Sequence, residues 1–341
     1  MPLTDEQRDI VYTHGQPMLV LAGQGTGKTE VLAQKILYLL RNGLASKKEI
    51  VGITFTTKAA KSMQNRLEEL GLPLHEQPMI CTLHSLATKT LKEKGSKINI
   101  SDEFLIADDH ETKLILRDAI VDIEPEAMKN LKKWKHKICL SKADKKIPED
   151  LSSGLFKEVY ARYQELLNFH SALDFEDLII EASKLFETDK ETLNEYRTKI
   201  KHLLIDEFQD INNAEYFLIK LLSGDAKGLF VVGDDKQSIY GWRGGNPRII
   251  LGFGDDFPDA LKKTMTKCFR CPDKIIKGAD EFIKRKPPLQ PQELGSDPIW
   301  ILKFKSYIKE ANFISNWIKN SLKNETYSAI QTVEGLLEKI H

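Results

Sequence analysis

The chain has 341 residues, enough for two or three domains, and 41% of them are hydrophobic, enough for real cores. Fifty basic and fifty acidic side chains cancel, which excludes a uniformly basic, polyanion-binding surface and leaves only local patches for nucleic acid. Four cysteines (Cys81, Cys139, Cys268, Cys271) are too few for a disulfide framework, and the single Cys-x-x-Cys has no second ligand pair, so free thiols in a reducing compartment are expected.

The first residues show no basic stretch followed by an apolar run, and no apolar run approaches a membrane span. A soluble cytoplasmic protein is expected, nucleoid-associated if prokaryotic, with no membrane partner. Met18 to Leu21 is an apolar run ending at a glycine-rich turn and predicts a buried strand. Lys28 to Leu40 follows as a helix with Val31, Leu32, Ile36 and Leu39 on one face. Ile50 to Phe55 predicts a second strand, Lys58 to Leu70 a helix and Met79 to Thr82 a third strand. This alternation implies a mostly parallel α/β sheet.

From residue 87 to 170 the periodicity is helical, without a convincing strand, which predicts a helical subdomain inserted into the sheet domain. Within it, Lys129 to Lys146 carries eight lysines, with Leu131, Trp134 and Ile138 as a buried stripe. Phosphates of an incoming duplex and a solvated helix face explain these lysines equally well. Strands return at His202 to Ile205 and Leu229 to Val232, so the sheet domain comprises residues 1–86 and 171–256. A further α/β domain is expected from residue 257 to 341. In it Pro272 opens a helix, Ile299 to Phe304 forms a strand, and Tyr307 to Leu322 forms a helix with Ile308, Ala311, Ile314, Ile318 and Leu322 inward.

Ala22-Gly-Gln-Gly-Thr-Gly-Lys-Thr29 lies between a strand and a helix and nearly matches the P-loop pattern, with Ala22 at the first glycine position. Gly23, Gly25 and Gly27 let the backbone approach phosphates, and Thr26 lies among them in the same cradle. Their amides and the helix N-terminus face the anion. Lys28 is placed for the β- and γ-phosphates and Thr29 for Mg²⁺. Leu203-Leu-Ile-Asp-Glu207 ends a strand in two carboxylates. Asp206 is placed to hold Mg²⁺ through water, and Glu207 to orient and deprotonate an attacking water. Both pieces fall at strand C-termini, where α/β folds bind ligands. ATP and Mg²⁺ are the expected cofactors.

Several boxes narrow the class. Asp206-Glu-Phe-Gln-Asp210 resembles the Asp-Glu-x-Gln-Asp box of superfamily 1 helicases of the UvrD/Rep type. Val231-Val-Gly-Asp-Asp-Lys-Gln-Ser-Ile-Tyr-Gly-Trp-Arg-Gly244 resembles that family's motif III. Gly52 to Ala60 resembles motif Ia, Thr82-Leu-His-Ser85 the short motif that follows it, Leu3 to Gln7 the Q motif, and Phe269-Arg270 the Tyr-Arg of motif IV. The boxes occur in family order from about residue 3 to 271. The resemblance implies a RecA-like P-loop sheet domain with a helical insertion and the start of a second RecA-like domain. It also implies an ATP-dependent motor on single-stranded DNA and ss/ds junctions, of 3′→5′ polarity.

The roles implied are specific. Gln7 would read the adenine, with Phe269 against it. Gln237 would sense the γ-phosphate, and Arg270 would act as an arginine finger from the second motor domain. Phe55, Thr56, His84, Tyr240, Trp242 and Arg243 would line the single-strand track. Stacking suits a motor, because every base offers a π-face. Asp174-Phe-Glu-Asp177 resembles another family box. As residues it reads either as a helix N-cap or as a device that orients nearby loops.

The chain departs from the family at Glu30 (usually an arginine on the adenine), Phe269 (usually tyrosine) and Cys268 (usually asparagine). Motifs V and VI are not found. A fragment, a natural truncation and one half of a split enzyme are the alternatives, and a nucleotide- and DNA-binding module that acts with a C-terminal half or accessory repair protein stands beside the autonomous motor.

Overall fold

Six strands pair side by side, all parallel; five are short apolar runs closed by turn residues, and the sixth, at one edge, carries two lysines. They are β1 (Met18–Ala22), β2 (Ile50–Ile53), β3 (Met79–Cys81), β6 (His202–Ile205), β7 (Leu229–Gly233) and β8 (Leu261–Met265), in the order β3-β2-β6-β7-β1-β8. The computed structural model describes residues 2–295 and 302–323, with side chains to Asn320. Two further parallel pairs are two residues long: β4 (Leu105–Ile106) with β5 (Ala172–Leu173), and β9 (Lys267–Cys268) with β10 (Gln290–Pro291).

Successive side chains leave a strand on opposite faces, and the core divides accordingly. Leu19, Val51, Ile53, Leu203, Ile205 and Val231 pack on one face; Met18, Val20, Ile50, Leu204, Phe230 and Val232 pack on the other. The second face is covered by α1 (Asp5–Tyr12), α2 (Lys28–Arg41) and α3 (Thr57–Glu69). The first is covered by α4 (Leu83–Lys94), α8 (Phe175–Thr188), α9 (Lys190–Lys199) and α10 (Asn213–Ser223), with short α11 (Arg248–Leu251) and α12 (Phe253–Asp256).

The inserted helices α5 (Asp109–Ile123), α6 (Leu131–Ala143) and α7 (Leu155–Phe169) have a separate core built on Leu116, Ile120, Ile138, Val159, Tyr160 and Leu167. Burying side chains of this size stabilises by roughly 1.5–3 kcal/mol each, so the insertion does not depend on the sheet for its core. Its start lies beyond the expected residue 87, because Ala87 and Leu91 of α4 pack in the sheet core. Its entry and exit are joined by β4 and β5, a strand pair too short to show any periodicity.

The boundary expected at residue 257 is also corrected. Met18–Ala22 pairs along its whole length with Leu261–Met265, so β8 is the edge strand of the first sheet. The segment β9–α13–β10, with α13 at Asp273–Ile283, then opens a second, parallel two-stranded sheet. Residues up to Leu294 form one compact unit, and a second unit begins at Gly295. In the latter, α14 (Tyr307–Lys323) forms as expected, but its supposed inward stripe is open: Ile308, Ala311 and Ile314 are exposed and Ile318 is half-buried. Leu322 lies outside the described side chains. The strand expected over 299–304 lies partly outside the described residues, and 302–304 form none.

Because all six strands run the same way, the turns after β1, β2, β6, β7 and β8 gather along one edge. That edge carries the candidate site.

Candidate nucleotide site and single-strand track

The turn after β1 is shaped by two backbone reversals. Gly25 (φ 74) and Gly27 (φ 89) adopt left-handed conformations, and Gly27 caps α2. Thr26 is buried, and its hydroxyl donates to Gly23 O at 2.8 Å, so its side chain staples the loop and only its backbone remains for a ligand. Gln7 braces the loop from outside. Its Oε1 accepts the Thr4 amide at 3.0 Å in a capping box, and its Nε2 donates to Thr26 O at 3.0 Å. Lys28 is buried at the start of α2, with Nζ 3.6 Å from Glu207 Oε2.

β6 ends at Asp206 and Glu207. Glu207 has a left-handed backbone (φ 51), costly for a residue with a side chain. Hydrogen bonds hold it there. Its amide donates to Asp206 Oδ1 at 2.9 Å, and Gln209 Nε2 donates to its Oε2 at 2.8 Å. Gln209 Oε1 in turn accepts the Asp234 amide at 2.9 Å, linking the turn after β6 to the turn after β7. Burial, with Glu207 beside it, pushes the Asp206 carboxyl up to about 7. Asp206 and the exposed Thr29 hydroxyl are hard oxygen donors suited to Mg²⁺, which keeps several water and phosphate ligands. Among the described residues no cluster of three or more His, Cys, Asp or Glu forms a protein cage for a metal.

Gln237 lies in the turn after β7, with Nε2 donating to Asp234 Oδ2 at 2.5 Å. Phe269 and Arg270 follow β9 and sit against the P-loop. The Phe269 amide donates to Gly25 O at 2.9 Å, and Cys268 Sγ contacts Gln24 O at 3.2 Å. Arg270, exposed, belongs to the same compact unit as the P-loop. Glu30, the departure from the family pattern noted in the sequence, has its carboxylate held by Arg66 Nε at 2.6 Å and Gln34 Nε2 at 2.9 Å.

The aromatic residues form one neighbouring group. Phe55, just after β2, lies 4.7 Å from Tyr240, and Tyr240 lies 6.3 Å from Trp242 between ring centroids. The Arg243 guanidinium stands 5.5 Å from the Phe55 ring and 6.0 Å from the Trp242 ring. Trp242 is 64% exposed and is therefore not a core aromatic. Thr56 caps α3 through its hydroxyl, which accepts the Ala59 amide at 3.0 Å. His84, in the first turn of α4, lies 5.7 Å from Phe175. A cavity of about 300 Å³ lined by Phe55, His84, Phe175, Arg243, Asp206 and Glu207 runs between the aromatic group and the carboxylates.

Burial, with Arg243 adding to it, pushes the His84 imidazole down to about 4, and burial pushes the Glu215 carboxyl up to about 7. Their 3.8 Å contact is therefore a polar contact of a neutral imidazole and not a strong ion pair.

Phe175 and Glu215 were not assigned by sequence. Phe175 lies inside the Asp174–Asp177 box, which supplied a signal; Glu215 had none. The box is the helix N-cap that the sequence allowed, and what it anchors is a neighbouring helix. Asp174 caps α8, accepting the Asp177 amide at 2.9 Å, and Asp174 and Asp177 grip fully buried Lys142 of α6 at 2.6 and 2.7 Å. The lysine-rich segment is thus partly internal. Lys142 is buried, Lys135 pairs with Asp109, and Lys137 lies 3.8 Å from the Phe156 ring centroid.

A family model described as the UvrD/REP helicase N-terminal domain matches residues 3–258. The chain belongs to the UvrD/Rep helicase family. Similar proteins include the ATP-dependent DNA helicase PcrA of Staphylococcus epidermidis, 35% identical over 339 residues, covering 95% of this chain and 46% of that protein. PcrA of Staphylococcus aureus is 36% identical over 303 residues, covering 86% of this chain and 41% of that protein. The chain spans less than half the length of these relatives. Among the described residues of this family member, no helix is long and apolar enough to cross a membrane.

Proposed function

We propose that this chain is the nucleotide-binding half of an ATP-driven motor that moves 3′→5′ on single-stranded DNA and separates duplex at junctions. The observation that carries this reading is the short segment from Asp234 to Arg243. At one end it is hydrogen-bonded through Gln209 to Glu207, and at the other it supplies Tyr240, Trp242 and Arg243 to the aromatic group. A movement of Gln237 against the γ-phosphate is therefore delivered a few residues later to stacked bases.

Lys28 would leave Glu207 for the β- and γ-phosphates as nucleotide enters, and Glu207 would then be free to orient water and take its proton. Mg²⁺ bound by Thr29 and Asp206 would neutralise phosphate charge. Gln7 would meet the adenine edge while bracing the P-loop, Phe269 would stack on the base, and Arg270 would place positive charge at the γ-phosphate. Phe55, His84, Tyr240 and Trp242 would stack or support bases, with Thr56 and Arg243 on the backbone.

A second reading is a nucleotide- and DNA-binding module that acts with a C-terminal half or an accessory repair protein. ATP hydrolysis by the purified chain, with and without single-stranded DNA, separates the two. Strong stimulation by DNA supports the motor; nucleotide and DNA binding without turnover supports the module. Unchanged turnover in Lys28→Ala would remove the P-loop assignment from both.

A further inference from the structure

α13 is capped by Lys284, whose left-handed backbone (φ 52) turns the chain back so that the Arg285 amide donates to Asp280 O at 3.1 Å. The reversal puts the Arg285 side chain on Asp234. Nη1 donates to Oδ1 at 3.0 Å and Nη2 to Oδ2 at 2.7 Å, a bidentate pair in which the side chains are 12% and 2% exposed. Arg285 Nε stands 3.2 Å from Asp280 Oδ1, close enough for ion pairing but without hydrogen-bond geometry. A planar fork on a buried carboxylate is specific to arginine, and such a carboxylate is tolerated only while paired.

Asp234 is more than a partner for charge. It accepts the Lys236 amide at 3.1 Å and Gln237 Nε2 at 2.5 Å, so it shapes the turn from which Gln237 projects. On the other side of Arg285, Asp280 Oδ2 accepts the Leu289 amide at 2.7 Å. The Leu289 side chain lies over the P-loop, where a Cβ on Gly23 would meet its Cδ2 at 2.6 Å. Arg285 thus stands between two arms that close on the nucleotide site, one through Asp234 to Gln237 and one through Asp280 to Leu289. It belongs to none of the boxes read from the sequence.

We propose that Arg285 is a positioning residue for recognition of the terminal phosphate, fixing the turn of Gln237 and tying it to β9–α13–β10; this rests on the reading of the P-loop as an ATP site. To reach a γ-phosphate, the Gln237 amide has to leave Asp234 Oδ2. With Arg285 on both carboxylate oxygens, that departure leaves no buried charge unpaired. Without Arg285, Gln237 is retained by Asp234, and the cost falls on ligands that carry the γ-phosphate and not on those that lack it.

The test is calorimetric binding of ADP and of a non-hydrolysable ATP analogue to the full chain, with thermal unfolding measured alongside. Arg285→Gln is expected to weaken the ATP analogue about tenfold and ADP less than threefold. Arg285→Lys should recover part of the loss, and Arg285→Gln combined with Asp234→Asn should be no worse than the worse single variant. Equal losses for both nucleotides with a lower unfolding temperature would mean a merely structural contact and would overturn the proposal, as would unchanged discrimination. If Arg285→Gln does not fold, the lysine variant and the uncharged pair decide the matter by the same ratio. A Lys28→Ala chain that binds both nucleotides like the parent would instead bring down the ATP-site reading itself.

Discussion

At Gly25 the left-handed backbone and a close neighbour act together. A Cβ built there would lie 2.7 Å from Arg270 Cβ and 2.9 Å from Cys268 Sγ, and the conformation itself costs roughly 1–2 kcal/mol for a residue with a side chain. Gly25→Ala is therefore expected to push the segment of Phe269 and Arg270 off the P-loop. Nucleotide affinity should fall at least tenfold, read by titration with a fluorescent analogue, while unfolding temperature moves only a few degrees; parental affinity would refute the contact. Glu215 gives a prediction in pH. Its folded carboxyl is pushed up to about 7 from an ordinary 4.5, chiefly by burial, so the fold binds the proton more tightly than the unfolded chain. The stabilisation it supplies is full below about pH 4.5 and is lost as pH rises through 7. Glutamine keeps the capping contact, in which the Asn212 amide donates to the residue 215 side chain at 3.0 Å. Glu215→Gln should be more stable than the parent at pH 8 and no more stable near pH 5, measured by urea unfolding. Superimposable pH curves would show that Glu215 does not titrate as argued.

Among the elements, the joint between α6 and α8 is the most sharply specified. Lys142 places one cation between two buried carboxylates, and Tyr163 Oη donates to Asp174 at 2.9 Å. Asp174 stays below the usual range opposite Lys142, while burial and Asp174 push Asp177 up to about 7. Lys142→Met is expected to destabilise by about 3–5 kcal/mol at pH 8, since removing one member strands the others. The loss should shrink at pH 6, where Asp177 takes a proton; equal losses at both pH values would argue that the charges are not what holds the joint. Lys142 was in fact legible. The stripe of Leu131, Trp134 and Ile138 continues at four residues to 142, but a lysine was read by its charge and not by its place on the helix. The P-loop, the acidic pair and the strands β1, β2, β3, β6 and β7 were legible because a buried parallel strand needs a nearly unbroken apolar run. Leu261-Lys-Lys-Thr-Met265 was not, because an edge strand buries less and carries charge. Arg285 was invisible because its partner Asp234 lies 51 positions away and only the turn at Lys284 joins them.

For the molecule as a whole, balanced charge bears on how DNA would be held. Fifty cations against fifty anions leave no broad positive field, and of the eight lysines between 129 and 146, Lys142 is buried and Lys135 paired. The proposed track is built instead from rings, with the Arg243 guanidinium standing over two of them. Binding of single strands should therefore be weakly dependent on salt. Each phosphate contact contributes about −0.7 to the slope of log K against log salt on single strands, so a slope shallower than about −2 is expected. Stacking contributes roughly 1–3 kcal/mol per base and releases no counterions. Trp242→Ala should therefore weaken binding by that order at every salt concentration without changing the slope, whereas Arg243→Gln should make the slope less negative by about 0.7. Fluorescence anisotropy with a labelled oligonucleotide from low to moderate salt measures both. A parental slope of −4 or steeper, or a slope change in Trp242→Ala, would mean that lysines away from the aromatic group carry the strand, and the track would have to be drawn elsewhere on this surface.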